Sequence, residues 1–296
     1  MIEIRNLETF VWVATLTSFR AAAHKLNTTQ PAVSQRIASL ESSLGVKLLE
    51  RNARGVKLTT KGIELLEYAK RMLDLKQDML CAANSPSTIT GQVRIGVSET
   101  IVQTWLPQFL EAVHARYPAV SVELEVETTP VLREQVLSHR LNLAFLLGPV
   151  LSPQLENIPI CKYPLAWIAS PKLGLNIKQL TLAQVCEHPI ITYSAASAPH
   201  HFVRSLITAS GIHAPRMYGS ASLSVVVRMT LDAIGVAVIT PTFLKTELSE
   251  GRLCLLSVQA PKLPELAFTA SWAKGPDEHI ARALAKLAEE ISTQYH

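Results

Sequence analysis

The 296-residue sequence predicts an α/β protein in three parts: an N-terminal winged helix-turn-helix, a long linker helix and a C-terminal α/β domain. Three observations predict it. Three short amphipathic segments and a two-stranded ribbon pattern fill the first sixty residues. No proline interrupts the chain from Thr60 to about Ala83. Beyond Gly91, short apolar runs alternate with helical stretches, the pattern of a mostly parallel sheet covered by helices. The parts span residues 1–59, 60–84 and 91–296, with a small polar hinge at 85–91.

Leu7, Phe10, Val11 and Ala14 form the stripe of a first amphipathic helix. Ser18 suits the cap of a second, whose Ala22, Ala23 and Leu26 face inward. Asn27 tolerates a tight turn, Thr29 caps a third helix, Pro31 fits its first turn and Gly45 ends it.

At ~100° per residue the third helix sorts into two sides. Val33, Ile37, Leu40 and Leu44 face inward, while Pro31, Gln35, Ala38, Ser39 and Ser42 face outward, with Ser34 and Arg36 on the flanks. A merely solvated face would carry Glu and Lys. Small residues around one amide suit a helix that slides into the major groove of double-stranded DNA. Gln35 is suited to a bidentate contact with adenine, and Arg36 or Thr29 to phosphates. Residues 46–51 and 56–59, joined by a turn at 52–55, read as a wing whose tip, Arg54, would reach a minor groove.

Charge agrees. Residues 1–90 hold 12 Lys/Arg against 8 Asp/Glu, and the remainder holds 16 of each. Lys47, Arg51, Arg54, Lys57 and Lys61 cluster about one acid, Glu50, where phosphates would lie.

These residues carry a resemblance. Phe19-Arg-Ala-Ala-Ala, Gln30-Pro-Ala-Val-Ser-Gln-Arg-Ile, Leu40-Glu, Leu44-Gly, Leu48-Leu-Glu-Arg, Arg54-Gly and Leu58-Thr closely resemble the N-terminal domain of LysR-type transcriptional regulators over residues 5–66. The resemblance implies major-groove contacts from Gln30, Pro31, Ser34 and Gln35 and a wing contact from Arg54. Many members carry arginine then glutamine after Pro-Ala-Val-Ser, whereas here the order is Gln35-Arg36, so no base-reading arginine carries over to position 35.

In the linker helix, Leu65, Ala69, Met72 and Met79 follow heptad-like spacing, and Leu66, Leu73 and Leu80 recur every seven residues. Two apolar stripes on one helix need partners on both sides, either the chain's own domains or, the preferred reading, a second chain across a dimer seam. The resemblance implies the same, as a homodimer or homotetramer.

Strands are predicted at 92–97, 120–126, 143–147, 164–169, 189–193, 235–240 and 265–272. Helices are predicted at 102–117, 131–140, 201–210, 223–231 and 279–293. This part resembles the family more weakly, through Gly91-Gln-Val-Arg-Ile-Gly, Leu106-Pro, Tyr117-Pro and Gly235-Val-Ala-Val-Ile-Thr-Pro. The resemblance implies a two-lobed fold like that of type 2 periplasmic binding proteins, with lobe one at 91–164 and 267–296 and lobe two at 165–266. Ligands of open α/β sheets bind beyond the carboxyl ends of the strands. That rule points to Ser98, Thr100, Thr128, Thr129, Pro149, His200, Phe202 and Ser220, a hydroxyl-rich set fitted to a small organic anion.

Other classes find no support. The sequence has no Gly-x-Ser-x-Gly, phosphate loop, His-Glu-x-x-His or full dinucleotide fingerprint, so neither catalytic residues nor a cofactor are expected. Adjacent His200 and His201 diverge too far to share a metal. Cys81, Cys161, Cys186 and Cys254 lie far apart, as plain thiols do. No apolar run is long enough to span a membrane, and the N-terminus carries no signal pattern, so the cytoplasm is the expected compartment. The sequence therefore reads as a ligand-responsive DNA-binding regulator. The alternative is a regulator whose C-terminal domain serves only oligomerisation or protein contacts.

Overall fold

The computed structural model describes residues 2–52, 55–83, 91–175, 179–212, 216–275 and 278–294. The wing tip with Arg54 and the hinge residues 84–90 lie outside them.

Helices α1 (Ile4–Leu16), α2 (Phe19–Lys25) and α3 (Gln30–Leu44) close around Phe10, Val11, Ala22, Val33, Ile37 and Leu40. Both predicted caps form: the Ser18 hydroxyl accepts from the Ala21 amide at 3.2 Å and that of Thr29 from the Ala32 amide at 3.4 Å. Asn27 (φ 47°) and Gly45 (φ 69°) take the left-handed conformation that ends each helix sharply. In the wing, β1 (Leu49–Asn52) pairs antiparallel with β2 (Gly55–Leu58). Its first strand starts later than the pattern predicts, because Leu48 sinks into the core and the Leu48 and Leu49 amides donate to the Glu41 carboxylate.

Helix α4 (Thr60–Ala83) lies along α1. At its start, a Cβ on Gly62 would overlap the Leu48 carbonyl oxygen, so only glycine permits this approach of helix to wing. Leu65, Leu66, Ala69 and Leu73 turn into the N-terminal core. This corrects the expected seam: Leu66 and Leu73 pack within the chain, because α1 already covers that side of α4. Tyr68, Met72, Leu75 and Met79 point outward instead, 44–67% exposed and spaced by four, three and four residues. The Leu80 side chain lies outside the described set.

Two five-stranded sheets and one two-stranded pair, Leu180–Thr181 with Val258–Gln259, form the rest among the described residues. The first lobe contains β3 (Gly91–Val97), α5 (Glu99–Val102), α6 (Leu106–Arg116), β4 (Val120–Val126), α7 (Thr129–Leu137), β5 (Leu143–Leu147) and β6 (Leu155–Pro164). The second contains β7 (Ala166–Ala169), β8 (Leu180–Thr181), α8 (Leu182–Cys186), β9 (Ile190–Tyr193), α9 (Ala198–Ala209) and β10 (Met217–Ser220). It continues through α10 (Leu223–Leu231), β11 (Val236–Ile239), α11 (Lys245–Ser249), β12 (Cys254–Leu255) and β13 (Val258–Gln259). The chain then returns to the first lobe as β14 (Glu265–Ala273) and α12 (Glu278–Gln294).

The sheet orders are β4-β3-β5-β14-β6 and β10-β9-β11-β7-β12. Each is parallel over three strands and antiparallel beyond, because the chain crosses between lobes at β6–β7 and returns at β14. Sequence patterning missed β6, whose Pro159 and Pro164 break the strand signal. As an edge strand β6 tolerates them, and the register shifts beside Pro159, between Phe268 and Thr269 of β14. One buried core runs through both lobes, from Val93, Trp105 and Phe145 to Trp167, Ile190 and Val236. The DNA-binding-type domain meets lobe one where Trp12 stands edge-on to His139, ring centroids 5.3 Å apart, with the Lys25 ammonium 4.7 Å from the Trp12 ring centroid. No described helix is long and apolar enough to cross a membrane.

Candidate functional site

The outer side of α3 carries Thr29, Gln30, Pro31, Gln35, Ala38, Ser39 and Ser42 in the open, with Ser34 and Arg36 half-buried on its flanks. Lys57 is exposed on β2, in register with Glu50. Arg54 falls outside the described residues. Glu41 is the positioning residue that sequence reasoning missed. It is 8% exposed, accepts from the Leu48 and Leu49 amides at 2.9 and 3.3 Å, and pairs with Lys47 at 2.7 Å. Burial alone would raise this carboxyl, but the Lys47 ammonium and the two amides outweigh it and hold the group below its ordinary value. Glu41 thereby fixes the wing to the end of α3, and as the one acid of that helix, flanked by exposed Ser42 and Ser43, it gave no local signal of this.

The second site is a cleft of about 220 Å³ between the lobes. It lies beyond the carboxyl ends of β3, β4 and β5 on one side and of β9 and β10 on the other. Ser98, Thr100, Thr128 and Thr129 line it from lobe one, and Tyr193, Ser194, Ser197 and Ser220 from lobe two. Val126, Leu147, Leu266 and Phe268 supply apolar wall, and Glu99 and Glu127 complete the rim. No lysine, arginine or histidine is among the described lining residues. Tyr193 ties the lobes together: its hydroxyl is hydrogen-bonded to Thr100 and accepts from the Thr240 amide at 3.5 Å. Burial pushes this phenol up to about 12 against those two hydrogen bonds, so at neutral pH it offers a hydroxyl and no charge. Gln103 makes a second link across the lobes, to Ser224 at 3.4 Å.

Five of the eight predicted cleft residues therefore come together: Ser98, Thr100, Thr128, Thr129 and Ser220. Three do not. Helix α9 begins at Ala198, earlier than expected, and this draws His200 and Phe202 out of the loop. His200 is buried with Nδ1 3.1 Å from the Tyr193 carbonyl, and Phe202, two residues on, turns to solvent. Pro149 is exposed past the cleft, because the Gly148 amide bonds Ala267 and leads the chain along β14. The apolar wall from β14 escaped sequence reading, since its residues follow more than a hundred positions after the strand ends they face. Among the described residues no His, Cys, Asp and Glu cluster could hold a metal. Cys161 is buried, and burial pushes its thiol up.

A winged helix-turn-helix joined to a two-lobed domain with an open cleft defines a regulator that couples a DNA-binding face to a small-molecule site. Residues 4–63 match the bacterial regulatory helix-turn-helix proteins of the lysR family, and residues 87–292 match the LysR substrate binding domain. The chain belongs to the LysR family of DNA-binding transcription regulators, which are not enzymes. It is similar to the regulator YofA of Bacillus subtilis (strain 168), 28% identical over 238 residues that cover 80% of this chain and 81% of that one. Over 180 residues, 61% of this chain and 62% of the relative, it is 32% identical to the regulator CzcR of Bacillus thuringiensis subsp. konkukian. Its fold is that of full-length BenM (TM-score 0.57, 20% identity, 99% of this chain and 97% of that one). The same fold is seen in CbnR complexed with its target DNA (TM-score 0.52, 21% identity, 97% and 100%).

Proposed function

We propose that this regulator acts as a cytoplasmic homodimer or homotetramer that reads an operator through the outer face of α3. Its DNA occupancy responds to a small effector bearing a carboxylate, held between the lobes. The DNA reading draws support from Thr29, Gln30, Pro31, Ser34, Gln35 and Arg36 along one helix and its cap, with Lys57 on the wing. One observation carries the effector reading: five strand ends from two lobes meet at a single small cleft spanned by the Tyr193–Thr100 hydrogen bond. A ligand there touches both lobes and biases their angle by its differential affinity for the two arrangements.

The test is a thermal-shift screen of the full-length protein against carboxylate metabolites, followed by DNA titration with each hit. A ligand bound only by the native state raises the melting temperature. Thr128→Val should remove that shift while leaving the melting temperature without ligand within a degree or two. A hit that stabilises Thr128→Val as well as the parent, or a screen without hits, refutes the cleft and favours a C-terminal domain that serves protein contacts.

A further inference from the structure

We infer that the effector is a zwitterion: a small amino acid with an apolar side chain. This rests on the interlobe cleft proposed above and specifies what it takes. Strands β3 and β4 run parallel in register, Val97 beside Val126, and the Glu127 amide continues the ladder to the Val97 carbonyl at 3.2 Å. There the two segments leave the sheet, Ser98 and Glu99 into the start of α5 and Glu127 and Thr128 into the start of α7, and all four line the cleft. Each of two adjacent strands thus ends in one hydroxyl donor and one carboxylate at the mouth of one cleft. A plain carboxylate in that position would meet two acids with no cationic side chain among the described lining residues, a poorly compensated arrangement. A plain amine would leave the donors idle. A molecule with an ammonium and a carboxylate on one carbon satisfies both sets.

The donors are available. Ser98 is 9% exposed and lines the cleft, and its hydroxyl has no partner among the described residues and makes no capping bond. Thr128 caps the nine-residue α7 by position, yet its side chain accepts no capping hydrogen bond, so that terminus keeps the Thr129 and Val131 amides for an anion, Pro130 having none. The acids are placed to receive an ammonium. Among the described residues, half-buried Glu99 accepts from Gln103 at 3.2 Å, and exposed Glu127 from the adjacent Thr128 amide at 3.4 Å. Leu266 and Phe268 form the apolar floor for the side chain. The space, about 220 Å³, is below the roughly 300–1,000 Å³ of drug-sized pockets, which restricts the ligand to a small metabolite.

Calorimetric titration of the full-length protein with the twenty common L-amino acids tests this, together with the deaminated acid and the decarboxylated amine of each one that binds. For leucine these are 4-methylpentanoate and 3-methylbutylamine. We expect at least one apolar amino acid to bind, and both truncated forms to bind at least about tenfold more weakly, as loss of a charge-assisted contact requires. Glu99→Gln and Glu127→Gln should each weaken the amino acid about tenfold while leaving the deaminated acid unchanged or tighter. A merely structural role for these acids would lower affinity for both ligands alike. If a deaminated acid binds the parent as tightly as its amino acid, and loses affinity in Thr128→Val, the zwitterion reading fails and the cleft survives. If no amino acid binds, the zwitterion reading fails, and the carboxylate screen decides the cleft by itself.

Discussion

Replacing Met72 and Met79 together by Glu tests the outward stripe of α4. Tyr68, Met72, Leu75 and Met79 leave 57, 44, 62 and 67% of their surface open. Full burial of such a side chain stabilises by about 1.5–3 kcal/mol, so closing the open half contributes roughly 1 kcal/mol per residue. Four residues from each of two chains then supply roughly 8 kcal/mol, within the ~4–15 kcal/mol that association costs in lost freedom. A seam of that size is marginal, and four introduced carboxylates should abolish it. Light scattering at micromolar concentration should report a single-chain mass. Binding to an operator with two half-sites should weaken by about a hundredfold or more, since the half-sites are then engaged separately. Thermal melting should change little, because neither side chain packs in the chain's own core.

Leu66→Glu with Leu73→Glu, in contrast, places charge inside the N-terminal core and should cost several kcal/mol, on the order of other buried unpaired charges. That variant loses folded N-terminal domain before it loses mass. A folded Met72→Glu/Met79→Glu protein that keeps the parent's full mass refutes the outward seam.

Glu41→Gln should cost about 1–3 kcal/mol at pH 7 by melting. Because the folded carboxyl sits below its ordinary 4.5, this stability is present above pH 4.5 and disappears as pH falls through the lower folded value. The gap between parent and variant should therefore close in acid, and an equal gap at pH 7 and pH 3 would exclude the charge as its source. Gly62→Ala should lower stability by about 1–3 kcal/mol through overlap with the Leu48 carbonyl, and an unchanged melting point would show that α4 can move off the wing. Gln35→Ala should relax base choice at one position per half-site by about 1–3 kcal/mol in a selection experiment, whereas Lys57→Ala should weaken all sequences and lower the salt slope by about one. His139→Asn keeps a residue that tolerates φ 54° but removes an aromatic pair worth about 0.5–1.5 kcal/mol, so the ratio of DNA affinities with and without effector should move toward one.

The legible parts of the sequence were those set by local chemistry. Caps at Ser18 and Thr29, the positive φ of Asn27, and the inward stripe of α3 all follow from residues within one or two turns of each other. The strand ends before Ser98 and Thr128 were legible for the same reason, since alternating apolar runs stop there, whereas the strand Met217–Ser220 carries too few apolar residues to be read. Long-range choices were hidden. Which stripe of α4 meets α1 depends on the angle at which the helix leaves the wing, and Gly62 sets that angle through a carbonyl fourteen residues earlier. Phe268 and Leu266 face the cleft only because the chain returns to lobe one after building lobe two. His200 and Phe202 were misplaced by the start of α9, where Ser197 provides the cap and accepts from the His200 amide at 3.4 Å.

Two elements of lobe one reach from the cleft to the DNA-binding domain, the physical route that the proposed response would take. Helix α7 starts at Thr129 in the cleft, and just past its end His139 meets Trp12 of α1. Strand β14 carries Leu266 and Phe268 at the cleft and ends in Ala273, beside the space that Val11 and Leu73 also line. Both are rigid over their length: α7 buries Leu132 and Val136, and β14 is paired on both sides. On the proposed reading, a ligand that draws Thr128 toward Tyr193 displaces α7, and the displacement reaches Trp12 through the short turn that holds His139. Trp12 is 2% exposed within the core that also holds Val33 and Ile37, the inner face of α3. Close-packed cores transmit such shifts with little compression. Lobe one thus offers a packed path from the cleft to the core beneath α3, while lobe two reaches that path through Tyr193, the Gln103–Ser224 bond and the core shared by both lobes.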